Sequence, residues 1–465
     1  MNKYDVIKDV KGSGLNLSDM IPLIDIKNEE DLIKYEKKGL IAPFTLEDFR
    51  RKFPKVDYRN IYFKPSDYLV ETIYFSIDEY IFRKLPIYTD CQMLKLNNDK
   101  SDEEELLTYI NIMTEAYKTK DYTTLLYMPP DALRFEILIK MVKDKYIKKD
   151  EVYDVFRDLY SSSEFGFNKF NTELINDLIS YQTMEFKKDL KERLSDYPDE
   201  IVVYRGEGDS STSYREGALS WSLDINVSNF FACRYSTNDS KILIGKVKKE
   251  NIIDYITDRN EDEVLIKPEY INLTDTIECY GLSKFNDSFL IDGSVYGKYR
   301  EILRNIPFKA NKEHGKLHSL RVLFLSLIIA MELDLSDDEV ELLAIACMTN
   351  NEECVEHGKR SFEMFMDENQ LEKINSEYYI DERDLEFLMT YHCKDDKEAI
   401  EYVESTYKTA ESRETMLRLL YILKDADALD RVRFGIRNLD LNYLRFDFSK
   451  KLTLMARLIK ENLKI

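Results

Sequence analysis

The chain has 465 residues, 44% of them hydrophobic and 33% charged, with a formal net charge of -21. This length and apolar content predict two to four globular domains. The negative charge argues against non-specific binding to nucleic acid or anionic membranes, because the field of the whole protein repels polyanions. Local basic patches are compatible with that charge, so a specific nucleic acid acceptor stays open.

The first residues and the cysteines indicate the compartment. The start, MNKYDVIKDVKGSG, lacks the apolar segment of a secretory signal. No stretch approaches the roughly 18 uncharged apolar residues of a membrane span. The six cysteines are scattered without a CxxC pair, which indicates neither a disulfide framework nor a cysteine zinc site. We therefore expect a cytoplasmic protein that does not bind membranes.

The spacing of apolar residues changes along the chain. Residues 1–105 mix polar runs with the apolar stretch YLVETIYFSIDEYIF and predict an N-terminal region of unknown function. From Leu106 to Leu194 the apolar residues recur at three and four positions, which predicts a block of amphipathic helices. The stretches IVVYRG, ALSWSL, KILIGKV and EVLI follow, and their β-branched and aromatic content predicts short strands joined by loops.

Helical spacing returns after about residue 300, in stretches such as SLRVLFLSLIIAMEL, EVELLAIACM and TMLRLLYILKDADALDRV, with almost no strand signal. The sequence therefore predicts a multidomain α+β protein. Its predicted parts are the N-terminal region at 1–105, a domain with a helical lobe and a β-sheet core at 106–285, and an all-helical domain at 286–465.

Three polar motifs follow one another through the strand-rich segment. They are Tyr204-Arg205-Gly206 at the end of one predicted strand, Ser220-Trp221-Ser222 on a second, and Glu261 and Glu263 flanking one residue before a third. Each motif alone is compatible with a rim salt bridge, an ordinary strand serine or a solvated edge. A second serine pair, in Ser211-Thr212-Ser213, lies in a polar loop without apolar alternation. We expect Ser220 rather than that pair to take part in chemistry.

In this order the motifs resemble the mono-ADP-ribosyltransferase family of the arginine, serine, glutamate type, over about residues 110 to 285. The resemblance implies NAD+ as co-substrate. It implies that Glu263 stabilises the oxocarbenium-like ribose, as a carboxylate does in glycoside hydrolysis, and that Arg205 binds the diphosphate. Ser220 would hold the ribose and orient Glu263. Further contacts with NAD+ are expected from Tyr204, Gly206, Trp221, Ser222, Phe230 and Phe231, with Trp221 standing where the family usually has threonine.

The resemblance also suggests an acceptor. Glu261 would receive or orient the acceptor nucleophile, and a glutamate at this position resembles the family members that modify arginine. Related enzymes modify other side chains or nucleic acid bases, so the expected acceptor is a protein or a nucleic acid. The chain contains no GxGxxG sequence, which argues against a Rossmann mode of binding NAD+. Many such enzymes are toxins, effectors or phage-conflict proteins, which suggests the same for this protein, including a role in anti-phage defence, and an inhibitory or antitoxin partner.

All four histidines lie in the C-terminal half, at positions 314, 318, 357 and 392. The segments from HSLRVLFLSLIIA to LKDADALDRVR resemble the HD-domain phosphohydrolase family. The resemblance implies His318 as the first metal ligand and Asp427 as the last, with His357 and His392 in the pocket. Where the family has its His-Asp doublet, this chain has Thr349-Asn350, which removes an imidazole and a bridging carboxylate.

We therefore expect a degenerate HD domain without a metal. It would keep the fold and would position the target, sense a nucleotide or regulate the transferase. His318, His357, Lys359 and Arg360 could line a nucleotide or phosphate pocket, and a purely structural helical module is equally compatible with the sequence. Two other functions stay open: a metal-dependent HD phosphohydrolase acting on a nucleotide, and a non-catalytic binding protein.

Overall fold

The computed structural model describes most of the chain. The described residues are 21–36, 45–63, 73–77, 80–84, 100–129, 131–164, 167, 170–209, 211–257, 259–281, 297–298, 315–347, 357–367, 370–374 and 379–462. They belong to two compact units, one within Met1–Asp196 and Thr212–Leu219, the other within Tyr197–Ser211 and Ser220–Ile465. The boundaries expected near residues 105 and 285 stay predictions, and the second of them lies outside the described residues.

The first unit combines a small antiparallel sheet with helices. Its strands pair in the order β1-β2-β3-β4 and span Ile21–Pro22, Ile61–Phe63, Ile73–Ile77 and Tyr80–Lys84. Its helices are α1 (Glu29–Glu36), α2 (Leu46–Lys52), α3 (Lys100–Thr119), α4 (Tyr122–Tyr127), α5 (Asp131–Lys143), α6 (Val152–Ser162), α7 (Thr172–Ser180) and α8 (Met184–Arg193). Short 3-10 helices span Leu23–Asp25, Tyr58–Asn60 and Tyr214–Glu216.

The predicted helical block is present, with one difference. The segment ELINDLISYQTMEFKKDLKERL reads as one amphipathic stretch but forms α7 and α8. The Thr183 hydroxyl accepts a hydrogen bond from the Phe186 backbone and so caps α8. A threonine cap satisfies a backbone donor that a continuous helix would bond internally, and it therefore favours a new helix start.

Aromatic rings fill the core of the first unit between α5 and α7. Phe156 and Tyr160 lie 5.4 Å apart, and Phe170 packs edge-on against Phe135 with centroids 4.7 Å apart. The Leu219 backbone donates a hydrogen bond of 2.7 Å to the Tyr160 hydroxyl. Gly217 has a φ of 104°, and a Cβ there would lie 2.2 Å from the Phe170 carbonyl. Only glycine fits this approach of the 212–219 segment.

The second unit contains a six-stranded antiparallel sheet in the order β10-β7-β5-β6-β9-β8. Its strands are β5 (Glu200–Glu207), β6 (Ser220–Ser222), β7 (Ser240–Lys248), β8 (Ile252–Ile256), β9 (Glu263–Ile266) and β10 (Asn272–Cys279). The four predicted strands are present as β5, β6, β7 and β9. The sequence interpretation missed β8 and β10, the outer strands of the sheet. Helix α9 (Ile225–Cys233) follows β6 and packs on β5.

Helices make up most of the other residues that the structure describes in the second unit. They are α10 (Lys316–Glu332), α11 (Asp337–Ala346), α12 (His357–Asp367), α13 (Gln370–Ile374), α14 (Glu382–Tyr391), α15 (Asp396–Thr406), α16 (Ala410–Asp430), α17 (Asp447–Lys450) and α18 (Thr453–Asn462). Short 3-10 helices span Lys249–Asn251, Pro268–Tyr270, Arg431–Phe434, Ile436–Asn438 and Leu441–Tyr443. The coarse prediction of helix mixed with sheet, followed by a helical C-terminal region, is confirmed.

The sheet and the C-terminal helices share one hydrophobic core. Ala232 and Cys233 of α9, Ile242 of β7 and Cys279 of β10 are buried in the same cluster as the apolar side chains of α10 and α16. The Tyr280 backbone donates a hydrogen bond of 2.8 Å to the Lys451 carbonyl, which ties the end of β10 to the segment before α18. Among the described helices, none combines the length and hydropathy that crossing a membrane requires.

Candidate active site on the sheet

Strands β6 and β9 bring Ser220 and Glu263 together. The ladder pairs Ser222 with Glu263 and Ser220 with Leu265, and alternation along β6 places Ser220 and Ser222 on one face. The Ser220 hydroxyl donates a hydrogen bond to the Glu263 carboxylate. Burial raises the pKa of Glu263 to about 7, and the nearby Glu261 adds to the rise, while the Ser220 hydrogen bond opposes it. Glu263 therefore changes its charge near neutral pH.

The turn before β9 is held from both sides. The Ser222 hydroxyl donates to the Glu261 carbonyl over 2.7 Å and accepts from the Asp224 backbone over 3.0 Å. The Tyr255 hydroxyl donates to Asp262 over 3.0 Å. Asn260 and Asp262 have φ values of 54° and 42°, in the left-handed region that costs free energy outside glycine. The turn thus holds the carboxylates of Glu261 and Glu263 in a defined conformation at the start of β9.

Arg205 lies beside the serine strand. Its Nη1 donates a hydrogen bond of 2.6 Å to the Ser220 carbonyl, and its Nε lies 3.2 Å from a carboxylate oxygen of Glu207. Both side chains are about nine-tenths buried, at 10% and 9% exposure. A bound diphosphate would therefore share this guanidinium with Glu207. Packing explains why the neighbouring residue is glycine: a Cβ at Gly206 would lie 2.0 Å from the Ser228 carbonyl of α9.

The other residues predicted to contact NAD+ lie on β5, β6 and α9. Tyr204 is partly buried and pairs with Ser222 in the ladder. Trp221 is 2% exposed, and its ring lies beside Gly245 in the sheet. Phe230 and Phe231 of α9 are partly buried and pack edge to face with centroids 5.4 Å apart. The structure thus gathers the two serines and two glutamates at one turn and places the Trp221 ring in the core.

The alternative serine pair has local backbone roles. Ser211 accepts a hydrogen bond of 2.9 Å from the Gly208 backbone. Ser213 caps the short helix Tyr214–Glu216 by accepting from the Arg215 backbone over 3.4 Å. Hydroxyls of this kind commonly stabilise turns.

Two charged residues that the sequence interpretation missed act on Glu263. Asp254 of β8 is fully buried, and its charge contributes to the raised pKa of Glu263. Arg259, in the turn, has the opposite effect on that pKa. The signal for Asp254 was an acidic residue in the middle of the apolar stretch IIDYI, because a buried carboxylate in a strand is costly unless its surroundings compensate.

A third missed residue, Arg437, comes from the helical half of the chain. Its Nη2 donates a hydrogen bond of 2.7 Å to Oε1 of Glu261, and its guanidinium lies 4.3 Å from the centre of the Phe230 ring. Asn226 of α9 fixes the segment that carries it, since the Asn226 amide donates to Asp440 over 2.9 Å and accepts from the Leu441 backbone over 2.7 Å. Sequence patterns gave no sign of this contact, which joins residues 176 positions apart.

In the helical region, His318 is buried between two aspartates. Its Nε2 lies 3.2 Å from Asp427 and its Nδ1 lies 2.8 Å from Asp430. Burial lowers the pKa of His318, but the hydrogen bonds to the two aspartates raise it by more, so the net shift is upward. Arg321 and Arg433 also bind Asp430, which is 1% exposed. The predicted first and last residues of the HD pattern are therefore in contact.

Among the other residues of the predicted HD pocket, the structure describes the side chains of His392, Lys359 and Arg360. His392 ends α14, where its Nδ1 lies 2.7 Å from the Met389 carbonyl, and Lys359 and Arg360 are exposed on α12. His357 begins α12 with its side chain outside the described residues, and His314, Thr349 and Asn350 also lie outside them. Within the described part of the chain, no three histidine, cysteine or acidic residues are grouped to hold a metal ion.

The chain was compared with known proteins at three levels. Neither protein-family models, nor curated protein sequences, nor solved structures returned a match.

Proposed function

We propose that this protein is an NAD+-dependent mono-ADP-ribosyltransferase acting on a macromolecular acceptor, with an arginine side chain favoured. One observation carries the proposal: the Ser220 hydroxyl is hydrogen-bonded to Glu263, a partly buried carboxylate with a second carboxylate two residues earlier on the same turn. These residues come from two of the motifs on which the resemblance depends, Ser220-Trp221-Ser222 and the pair Glu261 and Glu263. The turn would bring together a hydroxyl that binds the ribose, a carboxylate that stabilises the positive charge developing on the sugar, and a carboxylate that positions the acceptor.

The donor set fits NAD+, whose bond between ribose and nicotinamide breaks as positive charge develops on the sugar. Glu263 in its ionised form would stabilise that charge at short range in a partly buried site, where electrostatic interactions are stronger than in water. Ser220 would fix the carboxylate and contact a ribose hydroxyl. Arg205, beside the serine strand, would bind the diphosphate through its planar donor fork.

Glu261 would act on the acceptor. Its carboxylate already binds a guanidinium in the structure, that of Arg437. A carboxylate in this position can orient an arginine nucleophile and accept its proton. The contact supports an arginine acceptor over a neutral base, because guanidinium and carboxylate match in charge and geometry.

The test is transfer from labelled NAD+ by purified wild type and Glu263→Gln protein, alone and in host lysate. We expect the wild type to transfer label and release nicotinamide, and Glu263→Gln to lose both by about a hundredfold or more, as is typical when a charge-stabilising group is removed. Glu269→Gln, an exposed carboxylate in the same unit, is the matched control and should keep both activities. A folded wild type that neither transfers label nor releases nicotinamide would contradict the proposal.

We further propose that the helical C-terminal region has a degenerate HD pocket with a regulatory or target-binding role. The contact of His318 with Asp427 supports this, because both side chains that the family uses at the two ends of its motif meet here. Retained metal chemistry is the competing function. Metal analysis of the purified protein separates the two: we expect no stoichiometric metal, and one ion per chain together with nucleotide hydrolysis would favour a phosphohydrolase.

A further inference from the structure

The contact between Arg437 and Glu261 joins the C-terminal region to the acceptor side of the site. Glu261 is the residue proposed to receive the acceptor, and Arg437 presents to it the same functional group as the favoured acceptor. The Nη2 to Oε1 distance of 2.7 Å is that of a charge-assisted hydrogen bond. The guanidinium also faces the Phe230 ring at 4.3 Å, so Glu261 and Phe230 hold it together.

The surrounding structure positions Arg437. It lies in the 3-10 helix Ile436–Asn438, and the amide of Asn226 binds both Asp440 and the Leu441 backbone just beyond that helix. Asn226 and Phe230 are on the same helix, α9, which follows the serine strand. Arg437 therefore belongs to a segment that is hydrogen-bonded to α9, the helix that also carries Phe230.

Stability alone gives little reason for this ion pair. The Arg437 side chain is 50% exposed, and an ion pair that reaches solvent contributes little to folding. That exposure leaves the guanidinium accessible, as a nucleophile must be. In contrast, Arg433 is 10% exposed and bound to the buried Asp430 in the helical pocket.

We propose that Arg437 is an intramolecular acceptor of ADP-ribose, an inference that depends on the proposed transferase function. In the reaction, a guanidinium nitrogen of Arg437 forms a bond to C1 of the ribose of NAD+. The bond from C1 to nicotinamide breaks, and nicotinamide leaves with the electron pair. The proton of the attacking nitrogen passes to Glu261 and then to water. External arginine acceptors compete with Arg437 for the Glu261 carboxylate.

The experiment is incubation of the full-length protein with NAD+ labelled in its adenylate part, followed by peptide mapping and by measurement of nicotinamide. We expect the label on Arg437. Arg437→Lys keeps the positive charge but should lose the label at this position while it continues to release nicotinamide, with water as acceptor. Arg383→Lys is the matched control, since Arg383 forms an exposed ion pair with Asp381 on α14 and should have no effect.

A mixing experiment tests whether the transfer is intramolecular. A tagged Glu263→Gln chain keeps Arg437 but lacks the charge-stabilising carboxylate, so it should stay unlabelled when wild type is added. Label on Arg437 of the tagged chain, or wild-type label only on other residues, would overturn the inference. Release of nicotinamide without any label on Arg437 would also overturn it and leave the transferase standing, whereas a wild type that releases no nicotinamide would overturn the transferase itself.

Discussion

The sheet site partly buries the titratable side chain of Glu263 and the helical pocket buries that of His318, and the two sites affect the charged forms of these side chains in opposite ways. Glu263 has lost solvent and has like charges on Glu261 and Asp254 nearby, so its pKa is raised to about 7. His318 has lost solvent too, but two aspartates pair with it, and arginines pair with one of those aspartates. The surroundings of Glu263 disfavour its ionised form, while the two aspartates beside His318 favour the charged form of that histidine.

This difference indicates that the sheet site is suited to chemistry and that the charged network of the helical pocket is suited to stabilising the fold. Groups whose charged form is destabilised in the folded state are common at active sites, because their pKa then matches the working pH. Networks of paired buried charges stabilise one arrangement only if every member is present. The comparison therefore favours the sheet as the catalytic part and the helical pocket as a support.

The largest expected effect is on the stability of the helical pocket. Asp430→Ala would leave His318, Arg321 and Arg433 without their buried carboxylate partner, and breaking a buried pair costs about 3 to 5 kcal/mol. Chemical denaturation measures the free energy of unfolding. Asp447→Ala, which removes an exposed aspartate paired with Lys450, is the control and should change little. Equal effects of the two variants would contradict the structural role of the pocket.

The next effect is on the pH dependence of stability, and it concerns the sheet site. The pKa of Glu263 rises from an ordinary 4.5 to about 7 on folding, so the folded chain binds this proton more tightly than the unfolded chain. Its contribution to stability is full below pH 4.5 and is lost as the pH rises through about 7.

Relative to Glu263→Gln, which does not titrate, the wild type should therefore lose free energy of unfolding between these pH values. The loss should be about 1.4 kcal/mol per unit of pKa shift. Parallel denaturation series across this pH range measure the difference. A constant difference between wild type and Glu263→Gln would mean that Glu263 is not perturbed, and the contrast with His318 would disappear.

The smallest effect is on the pH profile of nicotinamide release. The Ser220 hydroxyl lowers the pKa of Glu263, so Ser220→Ala should move the rising limb of the profile to higher pH. At pH values well below that pKa the rate should fall by about tenfold for each unit of that move, and at pH 7 by about fivefold for the first unit, because less of the carboxylate is ionised. Ser211→Ala removes a hydroxyl from the alternative pair and should leave the profile in place. A shift in Ser211→Ala but not in Ser220→Ala would reverse the choice between the two serines.

The strands and helices with strong periodicity could be predicted from the sequence. Strands β5, β7 and β9 are apolar stretches with turn residues at their ends, and α10 and α16 repeat their apolar residues at helical spacing. The edge strand β10 was missed because its exposed positions carry polar residues in NLTDTIEC, so it has no strong apolar pattern. Strand β8 was missed because Asp254 interrupts a short apolar run.

The candidate site also has features that could be predicted from the sequence and features that could not. The residue types of the site and their order could be predicted from the sequence, because short motifs such as Ser220-Trp221-Ser222 and the pair Glu261 and Glu263 lie on single local elements. The contacts of Ser220 with Glu263 and of Arg437 with Glu261, and the effect of Asp254 on Glu263, depend on how distant segments pair and pack. The physical reason is that local spacing sets which face of an element a side chain occupies, whereas pairing and packing between distant segments set its charge and its neighbours.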